Sequence, residues 1–173
     1  MALSLYEVTV PSFTQILGSV SGLLDKAEAH CADKGMSPAA CISARLFEDM
    51  APLSFQVSQT VAHSAGALEA VQVGVFSPSM TPPPDSFAGL KATVADGLTR
   101  LARFTPADIN ALEGRDMRFE FKERVLPFTA QNFLLSFSMP NFYFHATTAY
   151  DILRHNGVAI GKRDFIGQPR LKQ

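Results

Sequence analysis

Apolar residues recur at intervals of three and four along four stretches of the chain, which is the spacing of a helix with one buried face. These stretches predict long helices near residues 11–33, 52–72, 86–104 and 130–156. The first helix can also begin near Ser4, with Pro11 then marking a kink. Pro52 separates the second helix from a shorter one that opens at Pro38. The pattern therefore predicts four principal helices.

Two stretches depart from the helical period. Between Gly74 and Ser86 lies the sequence FSPSMTPPPD, whose prolines favour an extended connector about as long as a crossover. Residues 117–127 alternate apolar and polar side chains, which is typical of strands and predicts a small hairpin. The predicted fold is an all-α, up-down four-helix bundle with a crossover between helices 2 and 3 and a hairpin before helix 4. At 173 residues the chain suits a single domain spanning 1–173.

Composition narrows the function classes. Fifteen Lys and Arg residues against sixteen Asp and Glu leave a net charge of −1, which lacks the basic footprint of a nucleic-acid-binding protein. No stretch reaches the roughly 20 apolar residues that span a membrane, and we see no signal peptide. We therefore expect a cytoplasmic protein with no nucleic-acid or membrane partner. Its Cys31 and Cys41 are expected to be structural and reduced, although their short separation also allows a disulfide.

The second and fourth predicted helices carry the candidate ligands for a metal or a small molecule. Asn141 and His145 lie one turn apart on one face of the fourth helix, and His63 lies in the second helix, where Gln56 is also found. We expect His63, Asn141 and His145 to converge in one cavity because their helices should be neighbours. Such a cavity could hold a divalent metal through His63 and His145. The alternative is that each histidine hydrogen-bonds a neighbouring helix in a polar pocket.

Positive side chains follow the same region of the chain. Arg154 lies in the last turn of the fourth helix, and Lys162 and Arg163 lie in the tail beyond it. These groups could anchor a carboxylate or phosphate of a small ligand, with Tyr143 lining the cleft. The structural alternative is an ion-pair network that pins residues 158–167 over the helices. Its other members would be Arg45, Glu48, Asp49 and Asp164.

Three segments resemble a known family. They are DKAEAH at 25–30, ARLFEDMAPLSFQV at 44–57 and PNFYFHATTAYDILRHNGVAIGKRDFIG at 140–167. Together they are similar to the DUF1993 proteins, a family of unknown function that resembles the DinB and YfiT superfamily of four-helix bundles. The resemblance covers essentially the whole chain and implies the bundle fold. In that superfamily three histidines commonly bind a divalent metal, one from the second helix and two, four residues apart, from the fourth.

The resemblance places His63 at the second-helix ligand position and His145 at the later fourth-helix position, whereas Asn141 occupies the earlier one. An amide oxygen is a weak ligand for zinc or nickel compared with imidazole. The resemblance therefore implies a degenerate metal site, at which zinc or nickel would bind weakly and without a structural role.

Two function classes follow from these observations. The first is a non-catalytic or small-molecule-binding protein whose ligand is a small acid or a thiol. We expect it to be a homodimer because the apolar stripes of its helices are broader than one bundle core requires. The alternative is a metal- or thiol-dependent transferase or isomerase that uses a cleft between His63 and His145.

Overall fold

The computed structural model describes residues 3–172, most of which are helical. The helices of this part of the chain are α1 (Leu5–Lys34), α2 (Pro38–Ser43), α3 (Leu53–Val61), α4 (Ala67–Val73), α5 (Phe87–Leu101), α6 (Pro106–Asn110), α7 (Ala130–Asn132), α8 (Met139–His155) and α9 (Lys162–Ile166). Two π-helical segments join α3 to α4 and α7 to α8; they are Ala62–Gly66 and Phe133–Ser138. The prediction of a mostly helical fold is confirmed. Within residues 3–172, no helix has both the length and the apolar character needed to cross a membrane.

Helix α1 begins at Leu5, next to Ser4, which agrees with the earlier of the two predicted starts. The Ser4 hydroxyl accepts a hydrogen bond from the Glu7 amide, and the Glu7 carboxylate accepts one from the Ser4 amide, so both ends of a capping box are present. Pro11 removes one backbone hydrogen bond but lies inside the helix. The buried side chains of Val10 and Phe13 hold this region against the core. The helix ends at Gly35, whose φ of 61° is the left-handed conformation that favours glycine.

The chain also forms a small three-stranded sheet, so the predicted all-α class is too narrow. The hairpin predicted at 117–127 is present as β2 (Asp116–Phe121) and β3 (Arg124–Thr129), which pair antiparallel. The proline-rich connector contributes a further strand, β1 (Val75–Phe76), which pairs parallel to β2 through Val75 with Arg118 and Phe76 with Phe119. A strand of two residues is too short to show a period-two pattern, which is why the sequence did not predict it.

The principal helices pack around a shared apolar core. Helix α1 lies against α5 and α8, and α3 lies against α8 and α5. The rings of Phe13 on α1 and Phe142 on α8 meet edge to face, with centroids 4.8 Å apart. Gly97 lets α5 approach closely, because a Cβ atom there would lie 2.9 Å from Val61 and 3.0 Å from Leu17. This packing places α3 and α8 side by side, and the candidate site lies between them.

The two cysteines are part of the core. Cys31 on α1 and Cys41 on α2 are both buried and free, in agreement with the expectation of structural thiols. Burial raises the pKa of the Cys41 thiol to about 12, and the neighbouring Cys31 adds to the effect. A thiol with so high a pKa carries almost no thiolate at neutral pH, so it is a poor nucleophile.

Candidate functional site

The structure brings together the two histidines that the sequence singled out. The imidazole centroids of His63 and His145 lie 5.8 Å apart, and the two ring planes are inclined by only 15°. His63 belongs to the first π-helical segment and is 6% exposed, whereas His145 lies on α8 and is half-buried. The pair therefore spans the interface between the second and fourth principal helices.

Each histidine has a hydrogen-bonding partner on the opposite helix. Nδ1 of His145 lies 2.7 Å from Oε1 of Gln56 on α3. Nδ1 of His63 lies 3.4 Å from Oγ of Ser138, at the end of the second π-helical segment. Each partner lies seven residues before the histidine of its own helix, so α3 and α8 must run antiparallel for both contacts to form. The arrangement is thus reciprocal across the interface.

The contact between His63 and Ser138 is made by residues of the two π-helical segments. His63 lies in the segment Ala62–Gly66, and Ser138 is the last residue of the segment Phe133–Ser138. A π turn inserts one extra residue into a helix and changes the direction of the side chains that follow; such insertions are frequent at functional sites. The sequence did not predict these segments, and Ser138 carried no signal that distinguished it from other serines.

Phenylalanine rings surround the histidine pair. Phe76 of β1 stacks on His63 at a centroid distance of 5.3 Å, and Phe137 meets the same ring edge to face at 5.9 Å. Phe55 and Phe144 meet His145 edge to face at 5.9 and 5.4 Å. Phe55 is 36% exposed and Phe144 is 56% exposed, whereas Phe76 is buried. The His145 end of the pair is therefore the end nearer to solvent.

Burial keeps both imidazoles neutral. It lowers the pKa of His63 from the ordinary value of 6.5 to about 4, and the nearby His145 lowers it further because two positive rings would repel. Burial likewise lowers the pKa of His145 to about 4. At neutral pH each ring therefore has one N–H group and one nitrogen lone pair.

Asn141 does not supply a third strong ligand for a metal. It lies one turn before His145 and is half-buried, but its side-chain amide donates a hydrogen bond to the Phe137 carbonyl oxygen of its own helix at 2.7 Å. Within the described residues, no group of three or more His, Cys, Asp or Glu side chains is placed to hold a metal ion. Catalytic zinc sites normally have three protein ligands. Two imidazoles and one amide oxygen do not fit such a centre.

The predicted cationic anchors lie elsewhere on the molecule. Arg154 is exposed and lies nine residues beyond His145, which is about 13 Å farther along the helix axis. Lys162 and Arg163 are exposed on α9, which packs against α1. Tyr143 is also exposed, with its ring against Phe142. The structure therefore does not bring these four side chains to the histidine pair.

The tail is pinned, but by a different ion pair from the predicted network. Asp164 pairs with Lys26 of α1 at 2.7 Å, and the Gln15 side chain donates a hydrogen bond to the Ile166 carbonyl oxygen at 2.9 Å. None of the ion pairs formed within residues 3–172 includes Glu48 or Asp49. In this ion pair the tail supplies the acidic residue, Asp164, and α1 supplies the basic residue, Lys26.

Five open clefts formed by residues 3–172 lie away from the histidine pair. The largest of the five, about 730 Å³, lies between α1 and the tail and is lined by Gly18, Gly22, Lys26 and Arg163 among others. Four smaller clefts occur elsewhere, and none of these five is lined by His63 or His145. We place the candidate site at the pair because its chemistry, rather than cleft size, is unusual. Packed aromatic side chains surround it, so it is not the floor of an open cleft.

The lowered pKa values predict that stability depends on pH. Between pH 6.5 and 4 the unfolded chain binds protons that the buried rings exclude, so acid favours unfolding. The stability contributed by the neutral rings is complete above pH 6.5 and is lost as the pH falls to about 4, by roughly 3 kcal/mol per histidine. Urea midpoints measured across this range should show the loss.

The variant His145→Gln should reduce this pH dependence to about half, whatever its effect on stability at pH 7. His155→Gln is the matched control, since His155 is exposed and its loss should leave the pH dependence unchanged. Equal slopes for the wild type and His145→Gln would contradict the assignment.

Comparisons with known proteins agree with this fold. The family model described as "Domain of unknown function (DUF1993)" matches residues 5–166. A crystal structure of a DinB family member protein from Shewanella denitrificans is similar to the chain, with a TM-score of 0.81 and 30% sequence identity over 98% of this chain and 95% of that one. No curated protein matches the chain significantly. Since the family model spans nearly the whole sequence, the chain belongs to the DUF1993 family, and its fold is that of a DinB family member.

Proposed function

We propose that this protein is a non-catalytic, DinB-like binding protein that holds a small molecule at the pair formed by His63 and His145. The observation that supports the proposal is the pair itself: two neutral imidazoles, 5.8 Å apart, inside an aromatic surround. Burying such polar groups costs free energy unless they are satisfied. A ligand that hydrogen-bonds both rings would offset this cost.

The proposal treats the metal site of the superfamily as degenerate in this chain. Two imidazole nitrogens and the Asn141 amide oxygen provide too few strong donors for zinc or nickel. In addition, the NH2 group of Asn141 already donates a hydrogen bond within its own helix, which leaves the amide oxygen as its one possible metal ligand. We expect any divalent metal to bind weakly and to have no structural role.

The proposal includes the finer architecture that the sequence predicted. The contacts of α1 with α5 and α8, and of α3 with the same two helices, support an up-down four-helix bundle. In this arrangement the connector between α4 and α5, which includes β1, is the crossover. The small sheet is an addition to the bundle at the end where this connector meets the hairpin.

A thiol-dependent transferase or isomerase is the second candidate. The observation that supports it is the free lone pair of each neutral imidazole, which can accept a hydrogen bond from a bound thiol, whereas a pKa of about 4 makes His145 a weak base for removing the thiol proton. The buried Cys41 cannot supply that thiol, because its pKa is raised to about 12. The thiol would therefore have to come from a small molecule.

A thermal-shift screen with neutral, acidic and thiol small molecules tests the binding function. A ligand that binds only the folded protein raises the melting temperature according to its concentration relative to the dissociation constant. We expect hits on the wild type to lose most of their shift in His145→Gln and in His63→Gln, and to keep it in His155→Gln. Hits that are insensitive to both site variants would contradict the proposal.

The metal proposal predicts a gain of function. Chelator treatment should leave the melting temperature of the wild type unchanged, because no tight structural metal is expected. Asn141→His should tighten zinc or nickel binding at least tenfold, about 1.4 kcal/mol, because it restores a third imidazole one turn from His145. Thr147→His is the control, since it adds an imidazole to the exposed face of α8. Copurification of stoichiometric zinc, together with unfolding in chelator, would favour a metalloenzyme instead.

The proposed assembly is a homodimer that buries a set of exposed aromatic rings. Phe55, Tyr143 and Phe144 are exposed on α3 and α8, and two of them contact His145. Sedimentation at micromolar concentration should give a dimer mass for the wild type and a monomer mass for Phe144→Glu. Met80→Glu is the matched control, because Met80 is exposed in the connector. A wild-type monomer under these conditions would refute the dimer.

A further inference from the structure

We propose that Gln56 and Ser138 are positioning residues that hold both imidazoles as the Nδ1–H tautomer. The pair then offers two Nε2 lone pairs to a neutral ligand that donates hydrogen bonds, such as an amide, an alcohol or a thiol. The ligand class rests on the proposed binding function, whereas the positioning role does not.

The orientation of Gln56 determines the tautomer of His145. Gln56 is buried, and its Nε2 group donates a hydrogen bond to the Ala51 carbonyl oxygen at 2.9 Å. Rotating the amide by 180° would set two oxygens against each other, so Oε1 must be the atom that faces His145. Since Oε1 only accepts hydrogen bonds, Nδ1 of His145 carries the proton in the 2.7 Å contact.

Ser138 has the same effect on His63. Its hydroxyl has one proton, and the shorter of its two contacts, 2.9 Å to the His63 carbonyl oxygen, takes that proton. The hydroxyl oxygen is then the acceptor in the 3.4 Å contact, and Nδ1 of His63 is the donor. This bond is longer than the usual 2.7–3.2 Å, so Ser138 holds His63 less firmly than Gln56 holds His145.

Helix geometry brings the two imidazole rings close together. Side chains on an α-helix tilt towards its N-terminus. Because α3 and α8 run antiparallel, His63 tilts towards the level of His145, and His145 tilts towards the level of His63. On each helix the histidine lies seven residues, or about 10.5 Å, beyond the residue that bonds the other histidine. The two ring centroids are nevertheless only 5.8 Å apart. The two rings therefore meet between these levels, with their planes nearly parallel.

The Nε2 atoms of both histidines lack hydrogen-bonding partners among the described residues but are not completely buried. Among residues 3–172, neither Nε2 atom makes a hydrogen bond with another side chain or with the backbone. Neither Nε2 atom is completely buried, however. In this part of the chain the Ser58 hydroxyl is the one side-chain polar atom that is both completely buried and without a partner. Each Nε2 atom is therefore at least slightly accessible to solvent.

This arrangement selects a ligand by charge and by hydrogen-bonding type. A carboxylate or phosphate would meet two lone pairs and no donor or positive charge, so an anion is excluded. A divalent cation would find two nitrogens and no carboxylate, and burying its charge would be costly. A neutral group that donates to both Nε2 atoms satisfies the pair, and Phe55 and Phe144 can contact its apolar part.

Nitrogen-15 NMR of the histidine rings at pH 7 tests the positioning role without any ligand. We expect Nδ1 to be protonated on both rings of the wild type. Gln56→Leu should release His145 into a mixture of tautomers and leave His63 unchanged, whereas Ser138→Ala should do the reverse. Gln56→Glu restores an acceptor oxygen and should restore the Nδ1–H form of His145. Protonation of Nε2 on wild-type His145, or no change in Gln56→Leu, would overturn this role.

Benzamide and benzoate test the ligand class, since they share an aromatic body and differ in charge and donor groups. Titration at millimolar concentration should shift the His145 ring resonances saturably with benzamide and not with benzoate, and Gln56→Leu should weaken benzamide binding at least tenfold. Tighter binding of benzoate would overturn the ligand class. Binding of neither probe, with both tautomers as expected, would count against the proposed binding function and its ligand class but leave the positioning role in place.

Discussion

The interface between α3 and α8 contains two imidazoles, one buried and one half-buried, that need hydrogen-bonding partners, and this requirement determines the relative position of the two helices. His145 bonds Gln56, and His63 bonds Ser138, so each helix supplies one ring and one partner. Sliding one helix by a single turn, about 5.4 Å, would break both bonds and leave polar groups buried without partners. The same contacts therefore determine the register of the core and the geometry of the candidate site.

The pair can exist at this separation only because its rings are uncharged. Two imidazolium rings with centroids 5.8 Å apart in a poorly solvated interior would repel strongly. Burial removes that problem by lowering the pKa of both histidines to about 4. The chemistry that results is that of hydrogen-bond acceptors, which differs from the metal chemistry implied by the superfamily.

The small sheet completes the surroundings of the site. Phe76 of β1 stacks on His63 and also meets Phe119 of β2 and Phe133 of the second π-helical segment. Phe137 in turn contacts Phe119, at 5.0 Å. The strands thereby connect the hairpin, the connector and the two π-helical segments through one cluster of aromatic rings. An element that appears peripheral in the topology thus forms one wall of the candidate site.

The sequence by itself determined the features that depend on local spacing. Helical periodicity located the four principal helices, alternation located the hairpin, and the break at Pro52 was correct. The tertiary structure decided what depends on distant partners: the pairing of β1, the π-helical segments, the ion pair of Asp164 with Lys26, and the role of Ser138. A local pattern records which face of an element is apolar. It does not record which residues, 43 to 138 positions away, will meet that face.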